Sequence, residues 1–371
     1  TAYEILIGLV GSALALSIAS VSVWLFLGCR ALLAIGESGN FPAAIKVTAQ
    51  YFPKMDRAFA TSIFNAGASV GALAAPLCIP VLAKQFGWEM AFVIIGALGF
   101  VWMGFWSGCY TLPEKSKHVN AAELAYIRQD EANESKAEIK AEETKTISFW
   151  RCFTFRQTWA FVAGKALTDG VWWFFLFWAP AYFSDQFGYA SYTPMGQALI
   201  FVLYFIVTVL SIGGGYLPKL FVEKRGMNPY AGRMRAMLMF AFVPILALFA
   251  QPLGVHSPWW PAVIIGLAGA AHQAWSANLY STIGDMFPSS TVASIVGIGT
   301  MAGGISSYLI NAGAGELFYY AGEQGAAFTF LDFEGKPAGY MIVFCICAVS
   351  YLLAWGAIKL LVPRYKKIEI D

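Results

Sequence analysis

Charge is what this sequence has least of. Only 12% of its 371 residues are Asp, Glu, Lys or Arg, about half of the roughly 25% carried by a soluble domain. Hydrophobic residues make up 58% of the chain, and together these values exclude the two or three soluble domains that the length alone suggests. The formal net charge of +2 leaves no basic footprint for phosphates, so a nucleic-acid partner is excluded as well. Histidine is scarce, with three in the chain. The six cysteines, Cys29, Cys78, Cys109, Cys152, Cys345 and Cys347, have neither paired spacing nor a histidine at metal-ligand distance, and read as small apolar residues. No metal and no cofactor is expected. Neither a phosphate-binding Gly-x-x-x-x-Gly-Lys-Ser/Thr loop nor a zinc-binding His-Glu-x-x-His is present, which argues against ATP-driven work by this chain alone and against an enzyme.

What the sequence has instead is long apolar runs. A bilayer core of about 30 Å needs about 20 apolar residues in helix, and helices satisfy their own backbone amides where no water can. Ten candidate helices follow, near residues 2–19, 21–51, 58–83, 88–110, 157–184, 193–221, 232–251, 258–286, 292–320 and 338–362. Pro42, Pro76, Pro180 and Pro244 are candidate kinks. Charge collects in one place: 16 of the 46 charged residues fall within residues 111–157. This segment reads as a solvated, partly helical linker. It divides the chain into an N-terminal bundle over residues 1–110, a cytoplasmic linker over 111–156, and a six-helix C-terminal bundle with a short tail over 157–371. Of the 24 Lys and Arg, 19 lie in connections on one side and only Lys84 and Lys336 on the other. The rich side is predicted to be cytoplasmic, with the linker and C-terminus on it.

A repeat organises the helices. Tyr51-Phe52-Pro53-Lys54-Met55-Asp56-Arg57-Ala58 leads into a helix with Gly67 and Gly71, and Met286-Phe287-Pro288-Ser289-Ser290-Thr291-Val292-Ala293 leads into one with Gly297, Gly303 and Gly304. The offset is 235 residues. If the two hairpins are equivalent, two helices are missing ahead of the first, a count that agrees with a chain opening on Thr1 and running straight into an apolar segment without a signal-peptide leader. The expectation is an all-α membrane protein, a two-bundle fold with about ten of twelve helices present and a site between pseudo-symmetric halves, as in secondary transporters.

Ionisable residues at membrane depth mark pathways or relays by default. Arg30 and Glu37 are seven apart on one helix, about 10 Å along its axis. That spacing suits a cation that holds an anion and a carboxylate that takes and releases a proton. Lys165 and Asp169 are spaced i, i+4 and can pair directly. Trp172 follows closely enough to stack on a sugar ring. Gln273 and Asn278 offer donors and acceptors for hydroxyls, with His272, Asn65, Ser69 and Asn311 as weaker polar candidates. Asp285, just ahead of Phe287-Pro288, reads as a helix-end or gating residue.

These segments are also familiar together. Arg30-Ala-Leu-Leu-Ala-Ile-Gly36-Glu37-Ser-Gly39-Asn40-Phe-Pro42, the Phe52-Pro53 turn, Phe64-Asn65-Ala-Gly67, Lys165-Ala-Leu-Thr-Asp169-Gly-Val-Trp172 and His272-Gln273-Ala-Trp275-Ser276-Ala-Asn278 resemble the major facilitator superfamily, within it the anion:cation symporters, and particularly the bacterial hexuronate transporters. The resemblance implies proton-coupled symport of glucuronate or galacturonate across the bacterial inner membrane by alternating access. It assigns anion recognition and proton coupling to Arg30 and Glu37. On this reading the substrate-binding set is Arg30, Lys165, Trp172, Gln273 and Asn278, and the proton-coupling set Glu37 and Asp169. The partners are the anion, a proton and the lipid bilayer, and the protein is a monomer. Another organic anion, such as an aldonate, dicarboxylate or phosphate ester, or a non-transporting sugar-acid sensor, are the alternatives. Ala68 stands where some relatives carry a polar side chain.

Overall fold

A computed structural model describes residues 23–53, 55–129 and 147–368; the helix expected over residues 2–19 lies outside them. The expected helix over 21–51 is two: α1, Val23–Glu37, and α2, Asn40–Tyr51. The cause is Pro42, which has no N–H to donate and crowds the carbonyl four residues back, at Ser38. The Ser38 hydroxyl turns to the Ile35 carbonyl at 2.8 Å. α3 (Arg57–Phe86) and α4 (Trp88–Cys109) are joined by Gly87 alone, at φ 86°, a conformation that glycine adopts without a Cβ penalty. In the linker, α5 (Ala121–Ile127) is capped by Asn120, whose Oδ1 accepts from the Glu123 amide at 2.8 Å. Residues 130–146 lie outside the description.

The second block holds α6 (Arg156–Phe187), α7 (Pro194–Arg225), α8 (Pro229–Phe242), α9 (Ala250–Gly254), α10 (Trp259–Met286), α11 (Ser289–Gln324) and α12 (Lys336–Leu361). A two-stranded ribbon, β1 (Thr329–Phe330) and β2 (Phe333–Glu334), precedes α12. Pro180 leaves α6 unbroken because the carbonyl it frees, Leu176, accepts instead from the Tyr204 hydroxyl on α7 at 3.1 Å. Pro244 does distort its helix: Val243–Phe249 winds as a 3-10 segment between α8 and α9.

Among the described residues, six helical stretches are long and apolar enough to cross a membrane: Trp88–Cys109, Arg156–Phe187, Pro194–Arg225, Pro229–Gly254, Ser290–Ala327 and Lys336–Leu361. α10, with 28 residues, is long enough but more polar. For α10 the reason is its place. Nearly all of it is buried by neighbouring helices, so it needs no lipid-compatible surface and can carry His272, Gln273, Ser276 and Asn278. α4 is the converse, with Trp102 and Phe105 more than 60% exposed, as a helix facing lipid would be.

The repeat is visible in the backbone. Phe52 and Phe287 are both extended, at φ −129°, ψ 135° and φ −113°, ψ 148°. Each donates its amide four residues back, to Thr48 and Ile283. The Pro53 carbonyl accepts from Asp56 and Arg57, and the Pro288 carbonyl from Thr291 and Val292, the same bonds at the same offset. Between the blocks, α3 packs on α7 where Gly215 lies against Ser62 and the Ala58 carbonyl; a Cβ on Gly215 would come within 2.2 Å of Ser62 Oγ.

Candidate functional site

α6, α10 and α11 of the second block enclose a buried ion pair. Lys165 Nζ lies 2.7 Å from Asp169 Oδ2, with the two side chains 6% and 10% exposed. Their i, i+4 spacing on α6 brings them together, and α11 presses on the pair through Gly303, where an added Cβ would sit 2.3 Å from Asp169 Oδ2. Lys165 Nζ also stands over the Tyr280 ring of α10, 4.7 Å from its centroid, a cation–π contact that gains strength where water is excluded. Tyr280 connects both blocks: Phe161 of α6 meets it at 5.6 Å on one side, and Phe41 of α2, itself against Phe64 of α3, meets it at 5.6 Å on the other. Asp169 Oδ1 is buried without a hydrogen-bond partner among the described residues.

Above this pair on α6 and α10 lies a second cluster. Trp172 and His272 stack face to face, 5.3 Å between centroids and 4° between planes, so one face of Trp172 is taken by an imidazole. His272 Nδ1 is 2.7 Å from the Tyr351 hydroxyl of α12. By the repeat offset, His272 of the second block occupies the position of Glu37 in the first.

The remaining sequence candidates divide. Gln273 and Asn278 are buried on α10, at 5% and 0% exposure. Asn278 spends its amide on the Ala274 carbonyl at 2.8 Å, while its Oδ1 is unpaired. Asn65 of α3, at 2% exposure, has both amide atoms unpaired, and Asn311 of α11 has its Oδ1 unpaired. Arg30 and Glu37 differ from expectation: both are exposed on α1, which makes no extended contact with α6 or α10. The described structure therefore pairs Lys165 with Asp169, stacks Trp172 on His272 and buries Gln273 and Asn278 on α10, and does not set Arg30 and Glu37 against them.

Of a third cluster, on the face that carries most of the Lys and Arg, sequence reasoning singled out Asp285 alone and missed its partners. Arg57 at the start of α3 pairs with Asp285 Oδ1 of α10 at 3.1 Å, and the other oxygen of Asp285 pairs with Arg233 of α8. Arg57 also donates to the carbonyls of Ala49 and Phe52 at 3.0 and 3.1 Å. Beside it, Lys219 Nζ of α7 meets Asp56 Oδ1 at 2.7 Å, and Asp56 Oδ2 accepts from the Tyr126 hydroxyl of the linker helix at 2.6 Å. The Tyr365 hydroxyl of the tail closes over Asp285, donating to its backbone carbonyl at 2.9 Å. Arg233, counted from sequence among solvated loop cations, is 2% exposed. Lone acids beside both Phe-Pro turns were the available signal.

The sequence profile of the Major Facilitator Superfamily matches residues 5–310. A hexuronate transporter of Escherichia coli K12 is 28% identical over 281 residues, 76% of this chain and 63% of that protein. A galacturonate transporter of Dickeya chrysanthemi is 28% identical over 246 residues, 65% of this chain and 68% of that one. This chain thus spans about two thirds of the length of these relatives. Among solved structures, a proton:xylose symporter bound to 6-bromo-6-deoxy-D-glucose superposes with a TM-score of 0.65 at 14% identity, covering 96% of this chain and 78% of that one.

Proposed function

The chain belongs to the Major Facilitator Superfamily, and from that premise we propose that it is a proton-coupled symporter of a hexuronate such as glucuronate or galacturonate. The observation that carries this reading is the Lys165–Asp169 pair, buried at 2.7 Å, together with buried amide oxygens on Asn278 and Asn65 that have no hydrogen-bond partner among the described residues. A sugar acid needs both features. Its carboxylate can replace Asp169 on Lys165, and a buried lysine that gives up one anion for another stays neutralised. The hydroxyls find acceptors and donors on Asn278 and Gln273, and Trp172 closes the site on its far side. The relatives that are transporters of hexuronate and galacturonate support a cargo of this class.

In this proposal residues 1–110 and 157–371 are the two rocking bundles, and residues 111–156 the linker between them. The linker, the tail and the ion pairs around Asp285 lie on the cytoplasmic side of a bacterial inner membrane, as the distribution of Lys and Arg supports. The protein acts as a monomer. Arg30 contributes to attracting the anion, and Glu37, the last residue of α1 at the helix break, cycles the proton; Asp169, once displaced from Lys165, is the second carboxylate able to accept one. Coupling requires that anion and proton favour different states of the rocking equilibrium.

Uptake of labelled glucuronate and galacturonate into proteoliposomes, with and without an inward proton gradient, tests the reading. Accumulation driven by the gradient and abolished by Glu37→Gln, with exchange of internal for external substrate retained, is the expected outcome. Uptake indifferent to the gradient would remove the proton from the mechanism, and no uptake of either acid would remove the cargo.

A further inference from the structure

Two asparagines meet at one depth across the block interface, and their polar atoms are unspent. α3 and α10 run antiparallel in a register fixed by two contacts: Arg57 with Asp285 at 3.1 Å, and one turn further Thr61 with Ser281, hydroxyl to hydroxyl at 3.4 Å. Another turn along each helix brings Asn65 of α3 level with Asn278 of α10. Both are buried, at 2% and 0% exposure. Among the described residues, Asn65 has neither its Nδ2 nor its Oδ1 in a hydrogen bond, and the Asn278 Oδ1 has none. An amide taken out of water without a partner is costly, and a direct bond between the two side chains would have answered that cost. They do not form one. Along α10, Tyr280, whose ring lies under Lys165 Nζ, is two residues from Asn278, so the clip and the cation of the site share one level of the helix.

A donor and an acceptor held on opposite sides of a seam suit a group that is itself both, and an alcohol is the simplest. We propose that Asn65 and Asn278 form a clip for one hydroxyl of the substrate, which donates to Asn278 Oδ1 while accepting from Asn65 Nδ2. The inference rests on the sugar-acid reading above and adds to it a residue of the first block. Because the clip has one jaw on each block, a hydroxylated acid bound at Lys165 draws α3 and α10 together, whereas a carboxylate without hydroxyls occupies Lys165 and leaves the clip unused. Selection of polyhydroxy acids and closure of the blocks then come from the same bond.

Asn65→Leu keeps the volume and removes both polar atoms. Three measurements on the purified protein decide the matter: the melting temperature without ligand, and the affinities for glucuronate and for cyclohexanecarboxylate, an acid of similar size that lacks hydroxyls. The expected result is a higher melting temperature, since an unpaired buried amide has been replaced by an apolar group. Glucuronate affinity should fall about three- to tenfold, the worth of one neutral hydrogen bond, with cyclohexanecarboxylate affinity unchanged. An unchanged glucuronate affinity, an equal loss for both acids, or a lowered melting temperature would each overturn the clip, the last by showing Asn65 to be a satisfied structural residue. A wild-type protein that binds cyclohexanecarboxylate and not glucuronate or galacturonate overturns clip and cargo together. One that binds none of these overturns the cargo alone; the clip is then decided by titrating Asn65→Leu with D-galactonate and D-glucarate, and wild-type binding to neither overturns it.

Discussion

A buried ion pair behaves asymmetrically under substitution, and Lys165–Asp169 makes the asymmetry useful. With both side chains almost wholly buried, removing one partner strands the other's charge at a cost of about 3–5 kcal/mol, whereas replacing both by apolar groups is often neutral or better. Lys165→Met should therefore lower the melting temperature sharply, and Lys165→Met with Asp169→Leu should recover most of it. Transport should be lost in both. A double variant that regained uptake along with stability would show the pair to be structural. Gly303→Ala tests the same geometry from the α11 side, because its Cβ would stand 2.3 Å from Asp169 Oδ2 and turn that carboxylate off Lys165. At this scale the sequence was partly legible. The i, i+4 spacing on an apolar run was enough to pair Lys165 with Asp169, since helix geometry leaves no other arrangement so close. For Trp172, periodicity gives a place near the pair but cannot reveal that the imidazole of His272, 100 residues on, stacks on one of its faces. The unpaired amides of Asn65 could not be read at all, because satisfaction is a property of the packed neighbours.

Helices were legible in number and nearly in extent because membrane-length apolar runs admit few other conformations. The departures are at prolines, and each follows from where the freed carbonyl goes. Pro42 splits a helix in two, while the Tyr204 hydroxyl repairs the bond that Pro180 removes. Packing between elements tolerates less. α3 and α7 approach at Gly215, whose added Cβ would meet Ser62 Oγ at 2.2 Å and the Ala58 carbonyl at 2.9 Å. Gly215→Ala should force the helices apart and reduce uptake, and Ser62→Gly in the same chain should restore part of it. The restoration is partial because the backbone of Ala58 cannot yield as a hydroxyl can; full recovery would mean that the side chain alone sets the spacing. The linker helix α5 offers a pH test. The hydrogen bond to Asp56 raises the Tyr126 hydroxyl above the usual tyrosine range. A folded pKa above the unfolded one gives a contribution that is complete below about pH 10 and disappears as the pH climbs through the raised value. The protection factor of the α5 amides, which removes the base-catalysed rise in intrinsic exchange, should accordingly fall only at strongly alkaline pH in the wild type. In Tyr126→Phe it should already be reduced at neutral pH and show no such step.

At the scale of the whole molecule, two ion pairs on one face differ in burial, and the difference assigns them different work. Asp285 with Arg233, both at or below 5% exposed, joins α10 to α8 within the second block, and Asp285→Asn should destabilise the protein as a whole by about 3–5 kcal/mol. Asp56 with Lys219 is different. It crosses between blocks, and its side chains are 13% and 21% exposed, close enough to water that the pair is worth about 0–1 kcal/mol. A bond of that size cannot hold a protein together, but it can set the balance between two arrangements of the blocks, shifting it up to about fivefold. Rocking requires contacts of this kind, favourable enough to define a state and weak enough to be broken in every cycle. The second pair could not be inferred from sequence, since Asp56 and Lys219 are 163 positions apart. Ser281, 3% exposed and between this face and the Lys165 site, reports the opening. Labelling of Ser281→Cys by a small charged thiol reagent should be slow in the wild-type background and a few-fold faster with Asp56→Asn, with the melting temperature nearly unchanged. Asp56→Lys with Lys219→Asp should return labelling to the slow rate, because the exchanged charges pair again. Labelling that stays fast in the exchanged pair would show that Asp56 acts through Tyr126 and the linker rather than through α7.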